Sequence, residues 1–167
     1  TKAVEFYEKF EREAIASVNL GEVKLKKADL LNGMGKGADA RVEWVSVLDM
    51  QGVPAGAKAA ALYELGESWA DEGAHEKAIV FFERVYVAYG KFGELNAKAY
   101  WSRGASLEKL DLNREALETY EELVSRPDLK SFEETAKASE KIARLRPLYP
   151  KEPEPVEGEG ETVEAES

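Results

Sequence analysis

Apolar side chains recur along this chain at spacings of three and four rather than two. In KAVEFYEKF (2–10), DARVEWVSV (39–47), KAIVFFERV (77–85) and EALETYEEL (115–123), an alanine is followed four residues later by an aromatic ring. A further apolar residue comes three positions beyond the ring. The alanines are Ala3, Ala40, Ala78 and Ala116, the rings Tyr7, Trp44, Phe82 and Tyr120, and the last members Phe10, Val47, Val85 and Leu123. With 3.6 residues to a turn, such spacing lays all three on one stripe of a helix. From Ala40 onward the phrase repeats every 38 residues, and the first copy stands 37 before the second.

A second series runs out of phase with the first. Ala28, Gly66 and Gly104 are also 38 apart, and each is followed three residues later by Leu31, Trp69 or Leu107. A small residue lets two helices approach closely, and a large one a turn later fills the adjoining space. Between the series lie NGMGKG, DEGAHE and KLDLNR, with Gly35, Gly73 and Asp111 in register. Each unit therefore predicts helix, short turn, helix, and the chain predicts an all-α fold.

This pattern resembles the tetratricopeptide repeat. Residues 59–90 carry that family's signature through Leu62, Leu65, Gly66, Trp69, Gly73, Ala78, Phe82 and Val85. The units run over 21–54, 59–92 and 97–128. The last matches through Tyr100, Gly104, Leu107, Ala116, Tyr120 and Leu123, while the first has Lys24 and Lys27 where apolar residues are usual. The period of 38 exceeds the family's usual length of about 34. The surplus is placed between units, in stretches such as YGKFGELN. The resemblance implies a right-handed α-solenoid of antiparallel helix pairs over residues 1–149. Residues 1–20 are similar to the second helix of a unit whose first helix is missing, so the array is expected to continue upstream. Residues 131–147 predict a capping helix, with Arg144 and Arg146 near its C-terminus, where cations suit the helix dipole, and Pro147 and Pro150 to stop it. Residues 150–167, rich in Glu, Pro and Gly, are expected to form a disordered acidic tail.

Charge and composition narrow the function classes. The net charge is −10, but residues 151–167 hold seven glutamates against Lys151 alone, so most of the acidity lies in that tail. Without a Lys/Arg cluster a nucleic-acid partner is disfavoured, as is an anionic membrane surface. No apolar run approaches the ~20 residues of a membrane-spanning helix, which argues against membrane insertion. Cysteine is absent, excluding disulfides and thiolate metal sites and leaving the compartment open. His75 is the single histidine. With no second imidazole or thiol to complete a site, packing in the turn is favoured over a base or metal ligand. NGMGKG follows a helix and lacks the Lys-Ser/Thr pair of a phosphate loop, so it reads as a turn. No Ser-His-Asp arrangement is supported. A non-enzymatic protein without cofactor or metal is expected.

The resemblance also implies where a partner would sit. In the family the first helix of each unit lines the concave surface, and the residue after its first core position tends to face the ligand. Here that residue is Leu25, Tyr63 or Trp101, and Tyr and Trp are enriched where binding energy concentrates. Packing against the next repeat is the alternative role for these rings. Glu67, Ala70 and Asp71 of one unit, with Lys98, Ala105 and Glu108 of the next, would flank the groove. The family's basic clamp for a C-terminal carboxylate is not reproduced, since Asp29, Glu67 and Ala105 occupy the matching places. The candidate binding set is thus Leu25, Tyr63, Glu67, Lys98, Trp101 and Glu108. It suits a protein or peptide segment with apolar anchors and some positive charge, held as a helix or an extended strand. The expected role is a protein–protein interaction scaffold. The alternatives are a self-association module forming a homo-oligomer through Phe6, Tyr7 and Phe10, or an accessory repeat domain of a larger enzyme. Stretches such as YELGESWADEG and AKAYWSRGASLEKL resemble bacterial cell-envelope members, of the Tol-Pal-associated and outer-membrane assembly types. That likeness implies a periplasmic location rather than a cytoplasmic one.

Overall fold

A computed structural model describes residues 2–13 and 20–150. The expected acidic tail from residue 151 onward lies outside the described residues, as do residues 14–19 of the first expected unit. Among the described residues eight α-helices follow one another: α1 (Lys2–Glu13), α2 (Leu20–Gly33), α3 (Gly37–Asp49), α4 (Ala55–Asp71), α5 (His75–Ala88), α6 (Gly93–Lys109), α7 (Asn113–Ser125) and α8 (Glu133–Leu145). A 3-10 turn, Pro127–Leu129, precedes α8, and no strand occurs among the described residues. The fold of the described part is all-α.

The turns explain the hairpins. Gly35, Gly73 and Asp111 all have positive φ, at 75°, 76° and 59°. In each turn the next residue's amide reaches back five positions, from Lys36 to Leu31, Ala74 to Trp69 and Leu112 to Leu107, at 2.9–3.0 Å. This left-handed cap satisfies carbonyls that the ending helix leaves open and reverses the chain within three residues. His75 falls just past such a cap, as the first residue of α5.

From Ala28 onward both periodic series are buried where the spacing requires, except for Trp69. Ala40, Ala78 and Ala116, with Trp44, Phe82 and Tyr120 and with Val47, Val85 and Leu123, are fully enclosed. The small residues of the first helices meet these rings. A Cβ on Gly66 would lie 2.5 Å from Phe82, and one on Gly104 would likewise strike the Tyr120 ring. The register weakens at α1, where Ala3 and Phe6 are exposed and Tyr7 and Phe10 are half-buried, although Val4 still packs on the core between α2 and α3. Trp69 is half-buried between the Arg41 guanidinium, 3.9 Å from its ring centre, and the Lys77 ammonium, 4.1 Å away. Arg41 also bonds Ser68 at 2.9 Å and grips the Glu72 carboxylate at 2.8 and 3.0 Å, which ties α3 to α4.

Two local features differ from the sequence expectation. The surplus residues do not all lie between units, because α4 and α6 begin at Ala55 and Gly93, adding a turn to the front of each first helix. Phe92 and Phe132 close over Gly56 and Gly93 in those added turns, with ring carbons 3.2 and 3.1 Å from where a Cβ would be. Asn96 then donates to the Gly90 carbonyl at 2.7 Å and holds the preceding loop. Secondly, Lys24 and Lys27 replace apolar residues because Glu43 on α3 receives both, at 2.8 and 2.7 Å.

Each helix packs on its neighbours in sequence, and α2, α4, α6 and α8 also touch in a row. That row forms the face on which most of the candidate residues stand.

Candidate binding face

Leu25, Tyr63 and Trp101 occupy equivalent junctions between successive first helices, and all three are half-buried. Leu25 of α2 packs on the cluster that contains Ala61 and Leu65 of α4. Tyr63 of α4 leans on Phe82 of α5, with ring centres 5.8 Å apart, and its hydroxyl is 3.5 Å from Ser102 Oγ on α6. Burial pushes that phenol above its ordinary range and keeps it neutral. Trp101 of α6 leans on Tyr120 at 5.6 Å, and Lys141 of α8 lies over its ring at 5.7 Å. These residues stitch one hairpin to the next and present the remainder of their surface to solvent.

The charged candidates separate into two kinds. Glu108 sits between α6 and α8, where it accepts from Tyr120 Oη at 2.8 Å, from Lys141 Nζ at 2.7 Å and from Arg144. Burial alone would raise its carboxyl, but the bonds from Lys141 and Tyr120 outweigh that and hold it below the ordinary range. Lys98 donates to Glu94 one turn earlier at 2.6 Å, and that bond raises its own pKa. Glu67 differs from both. It is half-buried, burial raises its carboxyl, Ser102 and Tyr63 give it only hydroxyl partners, and Asp71 adds repulsion.

Glu64, one residue after Tyr63, is absent from the set that the sequence points to and is the most perturbed acid on this face. Burial first, then the charges of Asp29 on α2 and of Glu67, raise it to about 7. The pull of Lys98 from α6 is smaller than these. Its repeat equivalent is Ser102, 38 residues on, so the step that relates Tyr63 to Trp101 also relates Glu64 to Ser102 one position later. What the sequence could not supply is that the position is half-buried.

Three other partly covered carboxylates do have cations. Glu43 holds Lys24 and Lys27, Glu108 holds Lys141 and Arg144, and Glu121 holds Arg146 at 2.8 Å. Glu64 and Glu67 have no lysine or arginine bonded to them among the described residues. Burying an ionised group without a bonded counter-charge is costly, which is why both carboxyls are raised. Among the described residues no group of acids and imidazole is arranged to hold a metal ion, and no helix is long and apolar enough to cross a membrane. Leu25, Tyr63, Glu67 and Lys98 therefore share the α2/α4/α6 part of the face with Asp29, Glu64 and Ser102, while Trp101 and Glu108 belong to the α6/α8 junction.

Compared with protein-family models and with curated proteins, the chain matches none.

Proposed function

We propose that this chain is a tetratricopeptide-type α-solenoid, non-enzymatic, whose inner face along α2, α4 and α6 binds a basic, partly apolar segment of a partner protein. The observation that carries this is the pair of half-buried carboxylates, Glu64 and Glu67, to which no lysine or arginine is bonded, while Glu43, Glu108 and Glu121 each bond one. Tyr63 beside them offers an aromatic surface with its hydroxyl turned toward α6. A ligand lysine or arginine would regain the Coulomb energy that the free protein lacks, and apolar ligand side chains would cover the exposed parts of Leu25 and Tyr63.

The test is fluorescence anisotropy with labelled twelve-residue peptides matched in apolar content and differing only in Lys/Arg against Glu/Gln. Basic peptides are expected to bind, and the Glu64→Gln/Glu67→Gln double variant to bind them at least 10-fold more weakly. Equal binding of acidic and basic peptides, or an unchanged affinity in the variant, would refute the assignment.

A second reading, self-association, has one observation in its favour: Phe6 is 65% exposed beside Tyr7, with ring centres 5.9 Å apart. Sedimentation velocity over a concentration series, with Phe6→Ser alongside, decides it. A dimer lost in the variant supports association through α1, and a monomer throughout removes it.

A further inference from the structure

A cavity of about 190 Å³ opens between α4 and α6, lined by Glu67, Ala70, His75, Ser102, Ser106 and Lys109, with Ala105 at its wall. It lies below the ~300–1,000 Å³ typical of small-molecule pockets, so its size suits one side chain rather than a whole ligand. We propose that this cavity is a receptor for a single lysine side chain of the bound segment. The proposal rests on the inner face being the binding surface, and it names the anchor that this face takes.

Three features of the lining point to an ammonium group. First, the polar groups from α4 and α6 are predominantly acceptors. Glu67 supplies a carboxylate, and Ser102 and Ser106 supply hydroxyl oxygens. An ammonium has three N–H donors to distribute over such a set. Secondly, Ala70 and Ala105 leave space where the repeat equivalents carry long acids: Ala70 corresponds to Glu108, and Ala105 to Glu67, 38 residues away in each case. Thirdly, the chain itself pairs a lysine with a half-buried acid one junction later, at the register of Ala70 rather than of Glu67. Between α6 and α8, the Lys141 ammonium reaches the half-buried Glu108 at 2.7 Å while a phenol donates to the same carboxylate at 2.8 Å. Between α4 and α6 the phenol of Tyr63 and the acid Glu67 are present, and no lysine from the next helix is bonded to that acid. Lys109, the one cation among the described residues of the lining, is exposed to solvent.

The experiment follows amide and imidazole shifts by NMR as Nα-acetyl-lysine methylamide is added, with the norleucine and Nε-acetyl-lysine analogues as controls. Shifts at Glu67, Ser102, Ala105, Ser106 and His75 are expected to saturate with a dissociation constant on the order of millimolar for lysine alone. Two variants bracket the cause: Glu67→Gln removes the charge, and Ala105→Leu fills the cavity while keeping the carboxylate. Each is expected to weaken the lysine titration at least 10-fold with the remaining amide spectrum unchanged. Norleucine shifting the same residues equally, or Ala105→Leu binding lysine as wild type does, would overturn the proposal. Basic twelve-residue peptides run on the same samples separate the two levels. Peptides that bind wild type and Ala105→Leu alike remove the pocket but leave the face. Lysine binding without peptide binding removes the face and leaves the pocket.

Discussion

Replacing Glu64 by glutamine should stabilise the protein above neutral pH and leave it unchanged near pH 4.5. Its folded-state pKa is raised from 4.5 to about 7 by burial and by the neighbouring charges of Asp29 and Glu67. A carboxyl whose pKa is raised on folding binds its proton more tightly in the native state. Its contribution is neutral below pH 4.5, becomes progressively destabilising between pH 4.5 and about 7, where the unfolded carboxyl ionises and the folded one holds its proton, and levels off above that. A tenfold change in proton affinity is worth about 1.4 kcal/mol, so the difference would reach ~3 kcal/mol at pH 8 for a fully enclosed group. The carboxyl keeps a path to solvent, however, and screening there reduces the expected gain to about 1–2 kcal/mol. Glutamine keeps the shape of the protonated acid, so the variant isolates the charge. Urea unfolding of both proteins at pH 5, 6, 7 and 8, followed by circular dichroism at 222 nm, reads the effect. The two curves should coincide at the acidic end and separate progressively upward, with the variant more stable. A variant equally or less stable at pH 8 would refute the view that Glu64 is an uncompensated acid.

Gly66→Ala is expected to cost about 1–3 kcal/mol despite alanine's better helix propensity, because its Cβ would sit 2.5 Å from a fully enclosed Phe82 ring. A urea midpoint at or above wild type would show that the ring can yield. Gly73→Ala should cost about 1–2 kcal/mol, since its φ of 76° is disfavoured once a Cβ is present, and unchanged stability would show that the turn relaxes. Glu43→Gln removes the charge that both Lys24 and the nearly buried Lys27, 7% exposed, bond, and should cost about 1–3 kcal/mol at pH 7. Lys24 and Lys27 overcome the effect of burial and lower the Glu43 carboxyl, so its stabilisation is present above pH ~4.5 and is lost as the pH falls through the depressed value. The wild-type and variant unfolding curves should therefore converge in acid, and a gap that persists at pH 3 would argue against the ion pair as the cause.

The helices are legible in the sequence because burial in this chain follows a period. Ala78, Phe82 and Val85 are enclosed where the three-and-four spacing puts them, and Gly35, Gly73 and Asp111 turn the chain where their register aligns them. Features that break the period are not legible. The added turn at Gly93 depends on Phe132, nearly forty residues away, closing over a backbone that only glycine leaves open. The candidate site is legible by position and not by chemistry. The repeat places Tyr63 and Glu67 on the α2/α4/α6 row, but it does not show that Glu108 receives Lys141 and Arg144 from α8 while no lysine or arginine is bonded to Glu67. Glu64 is hidden between Tyr63 and Leu65 because nothing in a helix pattern distinguishes a half-buried acid from a solvated one.

Similar hairpins packed in series must not exchange places or slip by one unit, and the periodic residues alone cannot prevent it. One equivalent slot in each hairpin differs in a way that would. In α2 and α3 it holds Lys24 and Lys27 against Glu43; in α4 and α5 it holds Leu62 and Leu65 with Phe81; in α6 and α7 it holds Tyr100 and Arg103, the latter bonded to Thr119. Tyr100 is further fixed by stacking on Tyr86 at 3.8 Å and by donating to Glu122 at 2.6 Å. Putting the first hairpin's lysines against Phe81 would bury ammonium groups with no acceptor, a far larger penalty than any packing mismatch. The polar versions of the slot thus act against misstacking while the apolar one sits between them. Paired charge also divides the α2/α4/α6/α8 row, where α8 neutralises Glu108 with Lys141 and Arg144, whereas α6 brings no bonded cation to Glu64 or Glu67.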